Sequence, residues 1–278
     1  MKEISGVPFD TVVEVYKQHV IPMFRTAGQD LIELADLQPG ERVLDVGTGP
    51  GVAAFLAARK VAPDGSVVGI DISEVMLDAA RTQAEKEKTG VEFRQGDAEE
   101  LAFPESSFDV VLSCLGIGNT DPAKSLPSIL RVRRVGGRLV LSQWKPAGQA
   151  AMTFYQLLQK RRVAQPAPRL ERLRENDFTA RPWYNSYSSP TALTALLEEY
   201  GFQDIRVERR EYTTVFENSD AYLDMSISFP LALAEFRALS PGNQRMFRHE
   251  FNAAMAPFRG PNRTIVSKDI ILFAVATA

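Results

Sequence analysis

The sequence predicts an α/β fold with a doubly wound, mostly parallel sheet, and two observations lead to that prediction. From residue 42 onward, short apolar runs alternate with amphipathic, helix-like stretches. The apolar runs are continuous, which is typical of parallel strands covered by helices on both faces. A chain of 278 residues, 45% of them hydrophobic, can bury a large core of this kind.

Seven runs have the composition of buried strands. They are Arg42 to Val46, Ser66 to Ile70, Val91 to Arg94, Phe108 to Ser113, Arg138 to Ser142, Asp204 to Arg210 and Asp269 to Ala276. Four stretches between them have helical spacing. They are Val52 to Arg59, Glu74 to Glu87, Ala123 to Val132 and Thr191 to Tyr200. We therefore expect a seven-stranded sheet with helices between the strands.

Two long segments interrupt this alternation, one after the fifth predicted strand and one after the sixth. Connections of such length usually contain helices of their own or act as lids. We expect helical insertions that serve as substrate lids at residues 147–189 and 212–268. In the second insertion, Ser219 is the expected N-cap of one helix and Ser240 with Pro241 starts another. The expected core segments are residues 29–146, 190–211 and 269–278.

Apolar residues at helical spacing precede the first strand. They are Phe9, Val12, Val13, Tyr16 and Val20. An apolar stripe this short must dock on another surface to be stable. We expect residues 1–28 to form an N-terminal helical lid.

Composition excludes several classes of protein. With 32 Lys and Arg against 35 Asp and Glu, the net charge is −3, so we expect no nucleic-acid partner. Cys114, His19 and His249 are too few and too distant for a disulfide framework or a metal site. The chain has neither a signal-peptide pattern nor an apolar run of about 18 residues. We expect a soluble, cytoplasmic protein with no membrane span and no bound metal.

A glycine-rich turn, VLDVGTGPG, follows the first predicted strand. Gly47, Gly49 and Gly51 permit a tight turn and let a ligand approach the backbone and the N-terminus of the next helix. Asp71 ends the second strand 20 residues after Gly51, where an acidic side chain can accept hydrogen bonds from ribose hydroxyls. These residues indicate a site for an adenosine cofactor.

A second turn, after the third strand, contains Asp97 and Ala98 in the segment QGDAEELAF. The Asp97 carboxylate can accept from the exocyclic amine of adenine, and the next backbone N–H can donate to a ring nitrogen. The alternative for Asp97 is a helix N-cap. A nicotinamide-dependent oxidoreductase is an alternative for the whole site, although the third glycine of its G-x-G-x-x-G motif falls on Val52 here.

Together, VLDVGTGPG, GIDIS with EVMLDAAR, QGDAEELAF, FDVVLSCLGI and LRVRRVGGRLVLSQW closely resemble the class I S-adenosylmethionine-dependent methyltransferases. Within them, the chain resembles the ubiquinone and menaquinone biosynthesis type and its small-molecule relatives. The resemblance covers about positions 30 to 146 most strongly. It implies a Rossmann-like fold, S-adenosylmethionine as the cofactor, and a small, apolar or aromatic methyl acceptor.

The resemblance also implies a place for each residue of the cofactor site. The residues implied around the methionine part are Asp45, Gly47, Thr48, Gly49 and Gly51. Those implied at the ribose and adenine are Asp71, Ile72, Met76, Asp97 and Ala98. Those implied at the methionine group and the sulfonium are Ser113 and Leu115. For Ile72, Met76 and Leu115, ordinary core packing is the alternative.

Tyr16 and His19 are the candidate catalytic residues, because in related enzymes such an N-terminal helix covers the cofactor. Tyr16 would lie near the methionine end and His19 near the acceptor. A general base is needed only where the acceptor holds its proton tightly. The alternatives are that Tyr16 packs within the lid and His19 is solvated. His249 is expected on the surface, opposite the buried stripe of its helix.

The two insertions leave further alternatives open. Their many aromatic residues, such as Phe154, Tyr155 and Tyr222, could line a pocket for an aromatic or lipid-like acceptor or simply pack together. The basic run at residues 160–174 could bind an anionic acceptor or form a solvated face. The chain could also bind S-adenosylmethionine without transferring its methyl group.

Overall fold

The computed structural model describes residues 21–144, 148–175, 177 and 181–277. These residues divide into two compact units. The larger unit comprises residues 23–144, 182–210 and 271–277, and the smaller comprises residues 21–22, 148–175, 177, 181 and 211–270. Among the helices of the described ranges, none has the length and apolar character that crossing a membrane requires.

Seven strands form one sheet. They are β1 Arg42–Val46, β2 Ser66–Asp71, β3 Glu92–Gln95, β4 Phe108–Cys114, β5 Arg133–Trp144, β6 Gln203–Phe216 and β7 Ile265–Thr277. The strand order is β3-β2-β1-β4-β5-β7-β6. Strands β3, β2, β1, β4 and β5 pair in parallel, and β7 pairs with β5 in the antiparallel direction. The predicted seven-stranded, mostly parallel sheet is confirmed.

Ten α-helices lie within the described residues. They are α1 Ile21–Ala35, α2 Val52–Val61, α3 Glu74–Glu87, α4 Pro122–Val132, α5 Gln149–Lys160, α6 Pro168–Glu175, α7 Pro190–Glu199, α8 Ser219–Ser226, α9 Pro230–Ala238 and α10 Pro241–Ala254. N-capping side chains explain where several helices start. The Ser73 hydroxyl accepts a hydrogen bond from a backbone N–H in the first turn of α3, and the Asp121 carboxylate accepts one in the first turn of α4.

Strand β1 lies at the point where the direction of winding changes. The chain passes from β1 to β2 and β3 on one side and then to β4 on the other. At such a switch point the connections leave a crevice at the carboxyl ends of the strands, where ligands of open α/β sheets bind. The fold thus brings the turns after β1, β2 and β4 to the same edge.

Helix α1 runs without a break through the expected boundary between residues 28 and 29. Leu31 is fully buried, and a Cβ on Gly28 would lie 3.3 Å from Val52 of α2. Asp30 pairs with Arg210 at 2.7 Å. The C-terminal part of α1 therefore packs with the larger unit, whereas the lid predicted for residues 1–20 lies outside the described residues.

The smaller unit has its own apolar core, formed by α5, α8, α9 and α10. Phe154 and Tyr222 are almost fully buried there, as are Phe247 and Phe251. The ring centroids of Phe154 and Phe251 lie 6.0 Å apart at nearly a right angle, a favourable aromatic arrangement. The prediction that the insertions contain helices of their own is confirmed, and the most buried aromatic residues pack with one another.

Two helix starts were predicted inside the second insertion. Ser240 caps α10, as predicted, and its hydroxyl accepts a hydrogen bond from the first turn. The prediction for Ser219 is wrong, because Asn218 caps α8 and accepts from the Ala221 N–H at 2.9 Å. Asn218 stands one residue earlier and is an equally good cap, which frees the Ser219 hydroxyl to donate to Asn252.

The arginines of the basic run form ion pairs within the smaller unit. Arg174 donates both ends of its guanidinium to Glu235 at 2.7 and 2.8 Å, and Arg162 pairs with Glu235 at 2.9 Å. Arg161 pairs with Glu250. The Glu235 side chain is only 2% exposed, so Arg162 and Arg174 supply counter-charge to a buried acid. Lys160, Arg169 and Arg172 of the same run are exposed, as the solvated-face alternative predicts.

Candidate functional site

The turn after β1 is built on glycines in the left-handed region. Gly47, Gly49 and Gly51 have φ values of 69°, 54° and 85°, which only glycine adopts without strain. A Cβ on Gly49 would meet no atom within 4 Å, whereas one on Gly51 would lie 2.8 Å from Phe55 and from Phe93. Gly51 therefore serves packing at the start of α2, and Gly49 leaves open space beside the backbone.

Asp45 is a buried acid at the base of this turn, with 1% of its surface exposed. The Thr48 hydroxyl donates to Asp45 Oδ2 at 2.6 Å, while Oδ1 is buried without a hydrogen-bond partner in the described chain. Burial raises the pKa of Asp45 to about 6, against the lowering effect of the Thr48 hydroxyl and of the nearby Ala54 backbone N–H, and the Asp71 carboxylate adds a smaller rise. A cation beside Asp45 would offset both the loss of solvent and the repulsion from Asp71.

Asp71 stands at the carboxyl end of β2 and faces the same turn. Its Oδ2 accepts from the Gly49 N–H at 2.8 Å, and its Oδ1 accepts from the Ser73 N–H at 2.9 Å. Burial raises the pKa of Asp71, against the lowering effect of these two N–H groups. Each carboxylate oxygen accepts one bond and has capacity for another donor, so the side chain is oriented and still able to bind a ligand.

Ile72 and Met76 lie directly after Asp71. Ile72 is half-buried, and its carbonyl accepts from the Gln95 side chain at 3.1 Å. Met76 lies in the first turn of α3 and keeps 6% of its surface exposed. The positions of Ile72 and Met76 fit contact with the ribose and adenine of a cofactor, and they fit ordinary core packing equally well.

Asp97 and Ala98 occupy a half-buried turn after β3. Asp97 Oδ1 accepts from the Glu99 N–H at 2.9 Å, and the Asp97 carbonyl accepts from the Glu100 N–H. This arrangement is an Asx turn. Asp97 therefore stabilises a turn and is not the N-cap of a helix, which was the alternative for this residue. The backbone of Asp97 and Ala98 is thereby held at the carboxyl edge of the sheet.

Ser113 and Leu115 hold the end of β4. Ser113 is fully buried, and its hydroxyl donates to the Val46 carbonyl at 2.8 Å and accepts from the Ile117 N–H at 3.0 Å. Leu115 has a φ of 59°, an uncommon conformation for a residue with a side chain. Its N–H donates to the carbonyl of Ser142 at 3.1 Å. The Ser113 hydroxyl is thus engaged in joining β1 to the turn after β4.

Two glycines in the turn after β4 were not predicted as site residues. A Cβ on Gly116 would lie 3.1 Å from the Val46 carbonyl and 3.2 Å from Gly47, and one on Gly118 would lie 2.4 Å from the Gln143 carboxamide. Both glycines therefore permit close contacts with neighbouring segments. The signal was present in the segment GIGN, with two glycines directly after a strand.

Four further residues were considered from the sequence, and only His249 and Cys114 lie within the described part of the chain. Tyr16 and His19 fall outside the described residues. His249 is exposed on α10, as predicted. Burial raises the pKa of the Cys114 thiol to about 12, so Cys114 is an inert thiol at neutral pH.

Comparison with known proteins identifies the family of this chain. Residues 37–187, more than half of the chain, match the family described as a methyltransferase domain. The nocamycin O-methyltransferase of Saccharothrix syringae is 31% identical over 212 residues, which cover 71% of this chain and 72% of that enzyme. The ubiquinone/menaquinone biosynthesis C-methyltransferase of Ectopseudomonas mendocina is 42% identical over 120 residues, covering 42% of this chain and 47% of that enzyme.

Solved structures share the fold at lower identity. The YcgJ protein from Bacillus subtilis has a TM-score of 0.56 at 19% identity, with 91% of this chain and 98% of that chain covered. The phosphoethanolamine N-methyltransferase 2 of Haemonchus contortus, solved with S-adenosyl-L-methionine, has a TM-score of 0.52 at 20% identity, with 90% and 52% covered. These two structures share their fold with this chain over about nine-tenths of its length.

Proposed function

Because the chain belongs to the S-adenosylmethionine-dependent methyltransferase family, we propose that it transfers a methyl group from S-adenosylmethionine to a small organic acceptor. The predicted cofactor and enzyme class are confirmed by this membership, which contradicts the nicotinamide-dependent alternative. The observation that carries the proposal is a pair of acids, the buried Asp45 and the partly buried Asp71, beside an open glycine turn.

The residues present fit this cofactor. S-adenosylmethionine carries a sulfonium and an ammonium group, and the site has one buried and one partly buried carboxylate, Asp45 and Asp71, whose pKa values are raised by loss of solvent. Asp45 also has a buried oxygen without a partner in the described chain. Buried charges of one sign require compensation, and a cationic ligand supplies it.

We assign the parts of the site as follows. At the base of the glycine turn, the Asp45 carboxylate attracts the ammonium group of the cofactor. Each oxygen of the Asp71 carboxylate accepts a further hydrogen bond from a ribose hydroxyl with its second lone pair. The Asp97–Ala98 turn binds adenine, and Ile72 and Met76 pack beside it. Ser113 and Leu115 keep the turn after β4 in place near the reacting end.

When bound, S-adenosylmethionine supplies a methyl group that its sulfonium charge already activates. The chain's own task is then to position the acceptor in line and to exclude water. No general base is needed for an acceptor that loses its proton easily. For other acceptors, Tyr16 and His19 stay the predicted catalytic residues, and the lid role of residues 1–28 and of the two insertions stays a prediction.

We propose a neutral, apolar or aromatic acceptor. Arg161, Arg162 and Arg174 are paired with glutamates inside the smaller unit, which argues against an anionic acceptor at the basic run. A cytoplasmic location and the absence of a nucleic-acid partner stay predictions.

The test is transfer of a deuterated methyl group. The protein is incubated with S-adenosylmethionine bearing a CD3 group and with a mixed panel of phenols, quinols and amines. We expect one panel compound to gain a single CD3 group, as measured by mass spectrometry, and the Asp71→Ala variant to transfer far less. Tight binding of S-adenosylhomocysteine with no CD3 transfer to any compound would instead support a binding protein.

A further inference from the structure

Gln143 is a buried carboxamide near the carboxyl end of β5, in a strand whose interior is otherwise mostly apolar. Only 5% of its surface is exposed, and it pairs with Leu272 on β7. In an α/β sheet, ligands bind at the carboxyl edge of the parallel strands. Gln143 therefore lies at the same edge as the cofactor residues, one strand beyond β4.

The oxygen of this carboxamide, Oε1, is buried and has no hydrogen-bond partner in the described chain. Most buried polar groups in folded proteins find a partner, so an unpaired acceptor destabilises the protein unless something else satisfies it. The hydroxyl of the next residue, Ser142, is already used: it accepts from the Leu115 N–H at 3.2 Å and donates to Cys114 Sγ at 3.7 Å. Successive strand residues face opposite sides of the sheet, so Ser142 does not serve Gln143.

The turn after β4 leaves room for this carboxamide at one residue. A Cβ on Gly118 would lie 2.4 Å from both Oε1 and Nε2 of Gln143, so a larger residue at Gly118 would displace the carboxamide. Two residues earlier, the backbone of Gly116 closely approaches Gly47 in the turn after β1, residues 47–51, which is called the cofactor turn from here on. One short turn thus touches the cofactor turn with one glycine and Gln143 with the next.

We propose that Gln143 recognises the methyl acceptor, with Oε1 accepting a hydrogen bond from an O–H or N–H group of that molecule. This inference rests on the proposed function and names its acceptor class: a small neutral molecule that carries a hydrogen-bond donor. A carboxamide oxygen suits such a donor because it binds without adding charge. The terminal torsion of Gln is soft, so rotation presents the oxygen to an arriving acceptor. Gln143 is a specificity residue, and it takes no proton from the acceptor.

Stability gives the first test, and it needs no acceptor. Gln143→Met keeps the volume and removes the unpaired oxygen, so the midpoint of thermal unfolding should rise by about 2–4 °C. Gln244→Met is the matched control, because the Gln244 amide donates to the carbonyls of Phe236 and Leu239 at 3.3 and 3.0 Å, and its midpoint should fall. A lower midpoint for Gln143→Met would mean that an internal water or other partner already satisfies the carboxamide, which would overturn the proposal.

Nuclear magnetic resonance gives the direct test, with the protein saturated with S-adenosylhomocysteine and the Gln143 side-chain signals assigned by their loss in Gln143→Met. Phenol and aniline, which offer O–H and N–H donors, should shift the Gln143 carboxamide signals, and toluene of similar shape should not. Gln244 signals should stay in place with all three probes. An absent shift with phenol and aniline, or an equal shift with toluene, would overturn the proposal. Failure of the proposed function would appear separately, as a lack of S-adenosylhomocysteine binding or as the absence of CD3 transfer to every panel compound.

Discussion

The turns after β1 and β4 meet at one edge of the sheet, but they are built from different interactions. The turn after β1 combines left-handed glycines with the buried carboxylate of Asp45 and the partly buried carboxylate of Asp71. The turn after β4, residues 115–119, carries no charged side chain and is held by backbone contacts and the Ser113 hydroxyl. The difference supports a division in which charge selects the cationic cofactor, while shape and the neutral carboxamide of Gln143 select the acceptor.

The largest expected effect tests the packing of the cofactor turn. Gly51→Ala should lower the free energy of unfolding by about 2–4 kcal/mol, because its φ of 85° is strained for alanine and its Cβ would lie 2.8 Å from two phenylalanine rings. Gly40→Ala is the matched control, with a φ of 87° and no atom within 4 Å; it should lose only about 1–2 kcal/mol. Urea unfolding measures both, and equal losses would show that crowding at Gly51 is unimportant.

The next largest effect tests the negative charge of Asp71, beside the cofactor turn. Asp71→Ala should weaken binding of S-adenosylmethionine by about 2–3 kcal/mol, since charge-assisted bonds to two ribose hydroxyls are lost. Isothermal titration calorimetry measures it. Asp78→Ala should bind normally, because Asp78 is exposed on α3 and pairs with Arg81. An unchanged dissociation constant for a folded Asp71→Ala protein would remove Asp71 from the site.

The pH dependence of binding sharpens the role of Asp45. Its pKa is raised to about 6 in the free protein, so Asp45 is protonated below that pH and ionised above it. A cationic ligand favours the ionised form, so the affinity for S-adenosylmethionine should rise as the pH increases toward 6 and level off above it, with proton release on binding in the lower range. The pH dependence of folding has the opposite sign. Because the pKa of Asp45 is raised in the folded protein, its contribution to the free energy of unfolding is present at low pH and is lost as the pH rises through about 6.

Calorimetry at several pH values in buffers of different ionisation enthalpy measures the released proton. Asp45→Asn is the control, since it keeps the shape and cannot titrate. A variant with the same pH dependence as the wild-type protein would assign the effect to another group, with Asp71 the first candidate because burial raises its pKa as well.

The smallest effect tests whether the two turns are coupled. Gly116 has an ordinary φ of −98°, so alanine is tolerated there by the backbone, but its Cβ would lie 3.2 Å from Gly47. Gly116→Ala should shift the cofactor turn and weaken S-adenosylhomocysteine binding by about 1 kcal/mol, or several-fold. Gly90→Ala, with no atom within 4 Å, should bind as the wild-type protein does. Equal affinity for both variants would separate the turns.

The elements that the sequence predicts most accurately are those with a local signal. Helix α3 was predicted with both of its ends, and the Ser240 cap was confirmed. Prediction from the sequence was less accurate where two neighbouring residues suit the same position, as with Asn218 and Ser219 at the start of α8. Strands β6 and β7 extend beyond the predicted Asp204–Arg210 and Asp269–Ala276 runs, because pairing with a neighbouring strand can lengthen a strand past its apolar run.

The sequence by itself determined the α/β architecture, the glycine turn and the acids at the ends of β1 and β2, since apolar runs, glycines and caps act within a few residues. Only the tertiary structure decided which groups meet: the Gly49 N–H with Asp71, Gly116 with the cofactor turn, and Gln143 with Gly118. These contacts join segments 22 or more residues apart. They depend on strand order and register, which are set by packing over the whole sheet rather than by any local pattern.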